Sequence, residues 1–225
     1  MRPIESKLIK KFIYKYIAND DLILKGLDIG SSTLAFRTKI KPHIYENIYV
    51  PLISSNKKLY TSDLKQEIDN DFSGDIFDSD FFNLLKKQKF DFLFCFNVLE
   101  HVESPKAFIN RCVDFLPSGS LVFVSVPFSY PHHNDPIDTL FRPSPSELSS
   151  IVTNSILLDE LVIVDDTFIQ DLLRLSFTGF LSRFLSELLK FGYDLVRFKF
   201  LILRQNRLFW LFRPYKISFV VLKKL

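Results

Sequence analysis

The feature that most constrains the fold of this chain is a series of short apolar runs separated by helical or irregular segments. The runs cover residues 22–30, 57–63, 91–97, 120–127, 159–166 and 215–224. Most of them are continuous rather than alternating, which is typical of parallel strands covered on both faces. Because helical patterns stand between them, the sequence predicts an α/β sandwich with a mostly parallel sheet.

The segments between the runs predict the remaining elements. Ile4, Leu8 and Phe12 recur at helical spacing among lysines, which predicts an amphipathic opening helix within residues 1–20. Further helices are expected over 79–88, 105–115 and 143–156, short helices at most within 31–56, a turn over 71–78, and a helical insertion over 167–213. We expect a single domain over residues 1–225.

Composition excludes several classes of site. Only 6 of the 225 residues are glycine, against a usual share of about 7%, and neither G-x-G-x-x-G nor G-x-x-x-x-G-K-[ST] occurs, which argues against a loop that cradles a diphosphate. A net charge of +3 with 24% charged residues gives no reason to expect nucleic acid as a partner.

Cysteine usage and hydropathy indicate where the chain works. Cys95 and Cys112 lie among apolar neighbours without other ligands at zinc-like spacing, so we expect buried free thiols and a reducing compartment. No apolar stretch reaches the roughly 18 residues of a membrane span. A cytoplasmic protein is therefore expected.

Polar residues concentrate where the predicted strands end. Asp28, Gly30 and Ser31 follow the first strand, Asp63 ends the second, and Asn97 follows the run at 91–97. In open α/β sheets, ligands bind outside the carboxyl ends of the strands. These residues therefore predict a ligand site, and a carboxylate such as Asp63 can accept hydrogen bonds from both ribose hydroxyls of a nucleoside.

Several pieces in sequence order resemble class I S-adenosylmethionine-dependent methyltransferases. They are LDIGSS, the acid at Asp63, GDIFD, DFLFCFNVLEHVESPKAF and PSGSLVFVSVPF, and the PHHNDPID stretch is similar to a methyltransferase-like subgroup. The resemblance implies a Rossmann-like, seven-stranded sandwich with helices on both faces and a helical insertion before the last strand. It also implies S-adenosyl-L-methionine as the cofactor.

The resemblance also suggests roles for single residues. Asp28, Gly30 and Ser31 would surround the amino acid portion of the cofactor, and Asn97 would hold its methionine end. Asp63 would bind the ribose, and Asp75 would lie near the adenine. The implied activity is methyl transfer to an oxygen or nitrogen of a small-molecule, glycan or lipid-linked acceptor.

One departure from the family pattern keeps an alternative open. The first motif of the family usually continues with two glycines at the positions that are Ser32 and Leu34 here. Serine is small and can donate a hydrogen bond, which fits a modified cofactor loop. A catalytically silent binding or scaffold protein with the same fold is the alternative.

A proline-rich loop over residues 127–148 offers the second group of candidate residues. Five of its residues are prolines, which stiffen the loop. His132 or His133 is the candidate general base, and Asp135 or Asp138 would orient it. We expect no metal site from these residues, because adjacent histidines rarely both face one ion.

The stretch over residues 171–213 is basic and aromatic. It holds eight Lys or Arg and three acidic residues, with Phe177, Phe180 and Phe184 at helical spacing. Such a helix suits the inner face of an anionic membrane, a lid over a lipid-linked substrate, packing on the sheet, or a homodimer interface. A peripheral membrane protein whose sheet is only support is the third reading of the chain.

Overall fold

The computed structural model describes residues 1–65, 69–133, 137–196 and 206–225. Seven described strands form one sheet in the order β3-β2-β1-β4-β5-β7-β6, in which β7 runs antiparallel to the other six. The strands are β1 (Lys25–Ile29), β2 (Lys58–Asp63), β3 (Phe72–Ser73), β4 (Phe92–Phe96), β5 (Leu121–Ser129), β6 (Ser155–Val164) and β7 (Lys216–Lys224). The predicted, mostly parallel seven-stranded sheet is confirmed.

Helices cover both faces of this sheet, also as predicted. They are α1 (Pro3–Ile13), α2 (Pro42–Ile44), α3 (Val50–Ser54), α4 (Ser79–Gln88), α5 (Pro105–Asp114), α6 (Pro145–Ser150), α7 (Phe168–Leu173) and α8 (Phe177–Val196). Wide π-helical turns extend α1 over Tyr14–Ala18 and flank α2, and a 3-10 turn covers Arg207–Trp210. The connection over 31–56 consists of such short helical pieces.

The core explains why the strands read as continuous apolar runs. Leu93 and Cys95 of β4 pack in a cluster with α4, α5 and α6, whereas Phe92 and Phe94 pack in a second cluster with α1 and the pieces around α2 and α3. Successive side chains of a strand point to opposite faces. Because both faces are covered, nearly every position must be apolar. Both cysteines are buried and free, as expected.

Two local predictions are wrong. Residues 71–78, predicted as a turn, contain β3, whose two residues are too few to show a strand pattern. The helix predicted over 143–156 ends at Ser150, because Asn154 takes a left-handed conformation (φ 53°) and Ser155 begins β6. The predicted helix therefore spans both α6 and the first residues of β6.

The insertion before β7 contains α7, α8 and the turn Arg207–Trp210, and the central part of the prediction, residues 197–205, lies outside the described residues. Phe168 and Leu172 of α7 pack against Trp210 and Tyr215. Several apolar side chains of α8 are exposed, Leu189 by 75%. None of the described helices is both long and apolar enough to cross a membrane.

The topology places the carboxyl ends of three strands side by side. β1 pairs in parallel with both β2 and β4, with Ile29 opposite Ser62 and Cys95. The strand order therefore reverses between β1 and β4, which is where ligands bind in open α/β sheets. The turns that follow β1 and β4 meet at this edge.

Candidate functional site

A cavity of about 570 Å³ opens at the carboxyl ends of β1, β4 and β5 and is bordered by the first residues of α1. Its size falls within the range of small-molecule sites, about 300–1,000 Å³. The lining residues are Met1, Arg2, Glu5, Asp28, Gly30, Ser31, Ser32, Phe36, Lys41, Ile44, Ile48, Phe96, Asn97, Glu100, His101, Pro127, Tyr130, His133 and Ile217.

The turn after β1 brings backbone close to the cavity. Gly30 has φ 74°, and a Cβ at this position would lie 2.4 Å from Cγ2 of Val98. The amides of Gly30 and Ser31 donate to the carbonyl of Ser62 at 2.8 and 3.1 Å. Only glycine combines this backbone conformation with this close approach.

Ser32 takes a left-handed backbone conformation, which ordinarily favours glycine. Its φ is 61°, and its amide donates to Oδ2 of Asp63 at 3.0 Å. Arg37 donates to the carbonyls of Ser31 and Ser32 at 3.0 Å each. Hydrogen bonds from the Ser32 amide to Asp63 and from Arg37 to the two carbonyls therefore hold this loop in its conformation.

Asp28 is buried at the end of β1. The hydroxyl of Tyr49 donates a hydrogen bond to its Oδ2. Burial raises the pKa of Asp28 to about 6, although the hydrogen bond and nearby Arg37 act in the opposite direction. Desolvation therefore outweighs both favourable contacts with the charged form.

Asn97 meets a residue that sequence reasoning missed, Glu5. Asn97, with φ 54°, donates from Nδ2 to Oε1 of Glu5 at 2.8 Å, and the hydroxyl of Ser125 donates to the same oxygen at 2.8 Å. Glu5 is 1% exposed. Glu5 shares a helix face with Ile9 and Ile13 at four-residue spacing. An acidic residue on an otherwise apolar helix face is the sequence feature that indicates a buried polar contact.

Arg2 ties α1 to the insertion. Its Nε lies 2.9 Å from Oδ1 of Asp165, its Nη2 lies 2.8 Å from Oδ1 of Asp171, and its guanidinium stacks 4.2 Å from the ring centroid of Tyr215. Its backbone amide also donates to Oε2 of Glu5 at 2.9 Å. The first residues of α1 thus fix one wall of the cavity.

Asp63 and Asp75 are not among the residues that line this cavity. Besides the amide of Ser32, Asp63 accepts from the amide of Lys65 at 3.3 Å. Asp75 is exposed and accepts from the amide of Phe77 at 2.9 Å. Asp63 ends β2 and Asp75 follows β3 at the same edge of the sheet, and their cofactor roles stay predictions.

The loop after β5 brings His133 and Asp138 together. Nδ1 of His133 lies 3.2 Å from Oδ2 of Asp138, which also accepts from the His133 amide at 3.1 Å and from Nη2 of Arg142 at 2.6 Å. His133 lines the cavity, whereas His132 does not. Asp135, the other predicted orienting acid, lies outside the described residues.

The electrostatics of this pair differ between its members. Burial lowers the pKa of His133, because it disfavours the imidazolium. Burial alone would raise the pKa of Asp138, but the hydrogen bonds from Arg142, Leu140 and His133 outweigh it and lower the pKa. A neutral imidazole therefore stands beside an ionised carboxylate at neutral pH.

Glu100 and His101 complete this end of the cavity. Glu100 is 1% exposed, and its Oε2 has no hydrogen-bond partner among the described residues. Burial raises the pKa of Glu100 to about 7. Nε2 of His101 lies 3.6 Å from Oε1 of Glu100, and its Nδ1 is hydrogen-bonded to the carbonyl of Ile137. Neither residue is among the site residues that the sequence predicts.

Solved structures share the fold at low sequence identity. The MccD protein matches with a TM-score of 0.54 and 12% identity over 97% of each chain. The [4+2]-cyclase SpnF matches at 0.51 and 10%, over 97% of this chain and 80% of its own. Coclaurine N-methyltransferase bound to N-methylheliamine and SAH matches at 0.50 and 11%, over 97% and 70%. These likenesses show the fold alone.

Sequence comparison identifies the family. No curated protein matches this chain. The profile of a family described as "Methyltransferase domain" matches residues 7–154, about two thirds of the chain, which include β1 to β5 and the turns that line the cavity. The chain therefore belongs to the methyltransferase domain family, as its sequence motifs led us to expect.

Proposed function

We propose that this protein transfers a methyl group from S-adenosyl-L-methionine to an oxygen or nitrogen of a small-molecule, glycan or lipid-linked acceptor. The observation that carries the proposal is the cavity at the switch point of a methyltransferase-family sheet, with the backbone of Gly30 against it. A Cβ at this position would collide with Val98, so the turn reaches the cavity edge in this conformation only with glycine. A cavity of about 570 Å³ is large enough for a nucleoside-sized ligand.

The chain's own residues divide the cofactor between the cavity, which the turns after β1 and β4 line, and the sheet edge beside it, where Asp63 and Asp75 lie. Asp28, Gly30 and Ser31 surround the amino acid portion, and Asn97 lies at the methionine end. Asp63 serves the ribose, since a carboxylate with about four lone-pair sites retains acceptor capacity beside its bonds to two amides. Asp75 serves the adenine from the next turn.

The chemistry needs positioning and a proton acceptor. When bound, the cofactor supplies a methyl carbon that takes the lone pair of the acceptor atom while the electron pair of the carbon–sulfur bond stays on sulfur. His133, neutral because of its lowered pKa, accepts the proton that the acceptor atom loses. Asp138 orients the imidazole and stabilises the imidazolium. Alignment of the two reactants supplies several kcal/mol.

The silent alternative rests on Ser32 and on the breadth of the fold. A [4+2]-cyclase shares this fold, so the fold by itself does not fix the reaction. Against the alternative, Ser32 takes a left-handed backbone that ordinarily favours glycine. The serine therefore does not prevent a turn of that conformation.

Calorimetric titration of the full chain with S-adenosylmethionine and with S-adenosylhomocysteine tests the proposal. We expect saturable binding of one molecule per chain. Asp63→Asn keeps an acceptor for the Ser32 amide but removes the charge, so it should weaken binding at least tenfold, because a hydrogen bond to a charged group contributes about 1.5–3 kcal/mol.

Asp114→Asn is the matched control, because Asp114 is an exposed residue at the end of α5 and does not line the cavity. Its affinity for both ligands should equal that of the unmodified chain. An absence of heat from folded protein would refute the proposed activity, and unchanged affinity in Asp63→Asn would refute the ribose assignment.

A further inference from the structure

Three potential metal ligands converge at the end of the cavity that Glu100, His101 and His133 line. We call it the acceptor end, because the proposed base lies there. One carboxylate oxygen of Glu100 and one ring nitrogen each of His101 and His133 lie within 4.8 Å of one another. Oε1 of Glu100 and Nε2 of His101 are 3.6 Å apart. Two ligands about 2.1 Å from a tetrahedral ion lie about 3.4 Å apart, so this pair already has the required spacing.

One polar atom of this cluster lacks a partner. Oε2 of Glu100 is buried and makes no hydrogen bond within the described part of the chain. Burying such groups unpaired costs free energy, most of all for a carboxylate. Glu100 is 1% exposed and faces a cavity that a ligand can enter. A bound cation would satisfy the carboxylate and one or both rings.

The surroundings of both imidazoles match those of metal-binding histidines. Nδ1 of His101 is hydrogen-bonded to the carbonyl of Ile137, which leaves the lone pair on Nε2, the nitrogen that faces Glu100. Oδ2 of Asp138 lies 3.2 Å from Nδ1 of His133 and also accepts a hydrogen bond from Arg142. Ligating histidines usually meet a carbonyl or a carboxylate in this way, which fixes the orientation of the ring.

We infer that Glu100, His101 and His133 form a binding site for a divalent transition-metal ion of the Zn²⁺ type. Two imidazoles and one carboxylate are a donor set that suits such ions, whereas Mg²⁺ and Ca²⁺ favour oxygen ligands only. His101 and Glu100 are adjacent in a 3-10 turn, and His133 reaches them from the loop after β5. Three protein ligands leave a coordination position open toward the cavity.

The open position gives the site a use that rests on the proposed function. An acceptor hydroxyl or amine could coordinate the ion through its lone pair and be held next to the cofactor end of the cavity. In the metal-loaded protein His133 is a ligand, and its role as a free base applies to the ion-free protein. The prediction from sequence that no metal site forms considered only His132, His133, Asp135 and Asp138.

Metal binding can be measured without any methyl transfer. The full chain is stripped with a chelator, dialysed, and titrated with ZnCl₂ by calorimetry, and the visible absorption of added Co²⁺ reports the coordination. We expect one ion per chain with both metals. His101→Ala and Glu100→Gln should each weaken Zn²⁺ binding at least a hundredfold and reduce the Co²⁺ absorption.

His43→Gln is the matched control, because His43 does not line the cavity and its Nε2 lies 3.4 Å from the carbonyl of Met1. It should bind Zn²⁺ as the unmodified chain does. Circular dichroism checks the fold of each variant. If buried Glu100→Gln does not fold, His101→Ala decides, because the His101 side chain is 21% exposed.

Two results would overturn the inference: no saturable Zn²⁺ or Co²⁺ binding by folded protein, or undiminished binding by His101→Ala. A titration of the same preparation with S-adenosylmethionine separates the two proposals. Cofactor binding without metal binding removes the metal site and leaves the proposed function. Metal binding without cofactor binding does the reverse.

Discussion

The two ends of the cavity differ in how far the polar side chains that line them are hydrogen-bonded within the protein. At the cofactor end, the side chains of Asp28 and Asn97 are hydrogen-bonded to Tyr49 and Glu5. At the acceptor end, Glu100 keeps a buried carboxylate oxygen without a hydrogen bond among the described residues. The hydrogen bonds of the cofactor end are therefore formed within the protein, whereas the carboxylate of Glu100 at the acceptor end needs a bound partner.

This difference explains why the two ends carry different kinds of residue. Under the proposed function, a cofactor common to a whole family is met by a fixed backbone turn, and Gly30 and Ser32 both take left-handed conformations in the turn after β1. An acceptor that differs between proteins is met by side chains on a loop after β5, where variation does not disturb the sheet. Substitutions at the cofactor end should therefore act on stability as well as on binding.

Gly30→Ala should have the largest effect on stability. The added Cβ would lie 2.4 Å from Val98 at φ 74°, and a left-handed backbone with overpacking costs about 3–4 kcal/mol in the free energy of unfolding. Urea denaturation measures this. Gly192→Ala in α8, where a Cβ meets nothing within 4 Å, should stabilise by about 0.5–1 kcal/mol. A loss below about 1 kcal/mol in Gly30→Ala would show that the turn is not a fixed shape.

Asp28→Asn should change how stability depends on pH. Folding raises the pKa of Asp28 from 3.8 to about 6, so between these values the folded chain binds more protons than the unfolded chain, and this carboxyl makes stability fall as pH rises. The variant lacks that loss. Relative to the unmodified chain, it should gain about 2–3 kcal/mol between pH 4 and pH 7.5, since one pKa unit corresponds to about 1.4 kcal/mol.

Urea denaturation of both chains at the two pH values measures the gain. Tyr49→Phe, which removes the hydroxyl that donates to Asp28, keeps the carboxyl and should retain the pH dependence. An equal stability difference between Asp28→Asn and the unmodified chain at both pH values would mean that Asp28 is not desolvated and that the cofactor end is open to water.

Ser32→Gly should have the smallest effect and sharpens the comparison most. Relief of the left-handed backbone at φ 61° is partly offset by the greater entropy of glycine in the unfolded chain, so stability should rise by about 0.5–1 kcal/mol. Because the turn already has its shape, affinity for S-adenosylhomocysteine should change less than about threefold. A tenfold gain in affinity would indicate that the serine had impaired the cofactor loop.

Much of the fold could be predicted because both faces of the sheet are covered. That burial makes strands such as β4 and β5 continuous apolar runs, and polar residues directly after them mark the edge where ligands bind. β3 could not be predicted, because two residues carry no periodicity. The end of α6 depends on one left-handed residue, Asn154, which propensity alone does not reveal.

The candidate site was less predictable, because its contacts join distant parts of the chain. Glu5 meets Asn97 and Ser125, and Arg2 meets Asp171, pairings that no local pattern contains. Proximity of His133 to Asp138 followed from their places in one stiff loop. Proximity of His133 to Glu100 required knowledge of how that loop folds back over the end of β4.

The position of β7 has a consequence for how this protein is made. β7 contains the last residues of the sheet to be synthesised, yet it lies between β5 and β6 and pairs with both. Among the described strands, β6 pairs with β7 alone. During synthesis, the backbone edges of β5 and β6 that pair with β7 therefore stay unpaired until β7 has left the ribosome. Unpaired strand edges are prone to aggregation.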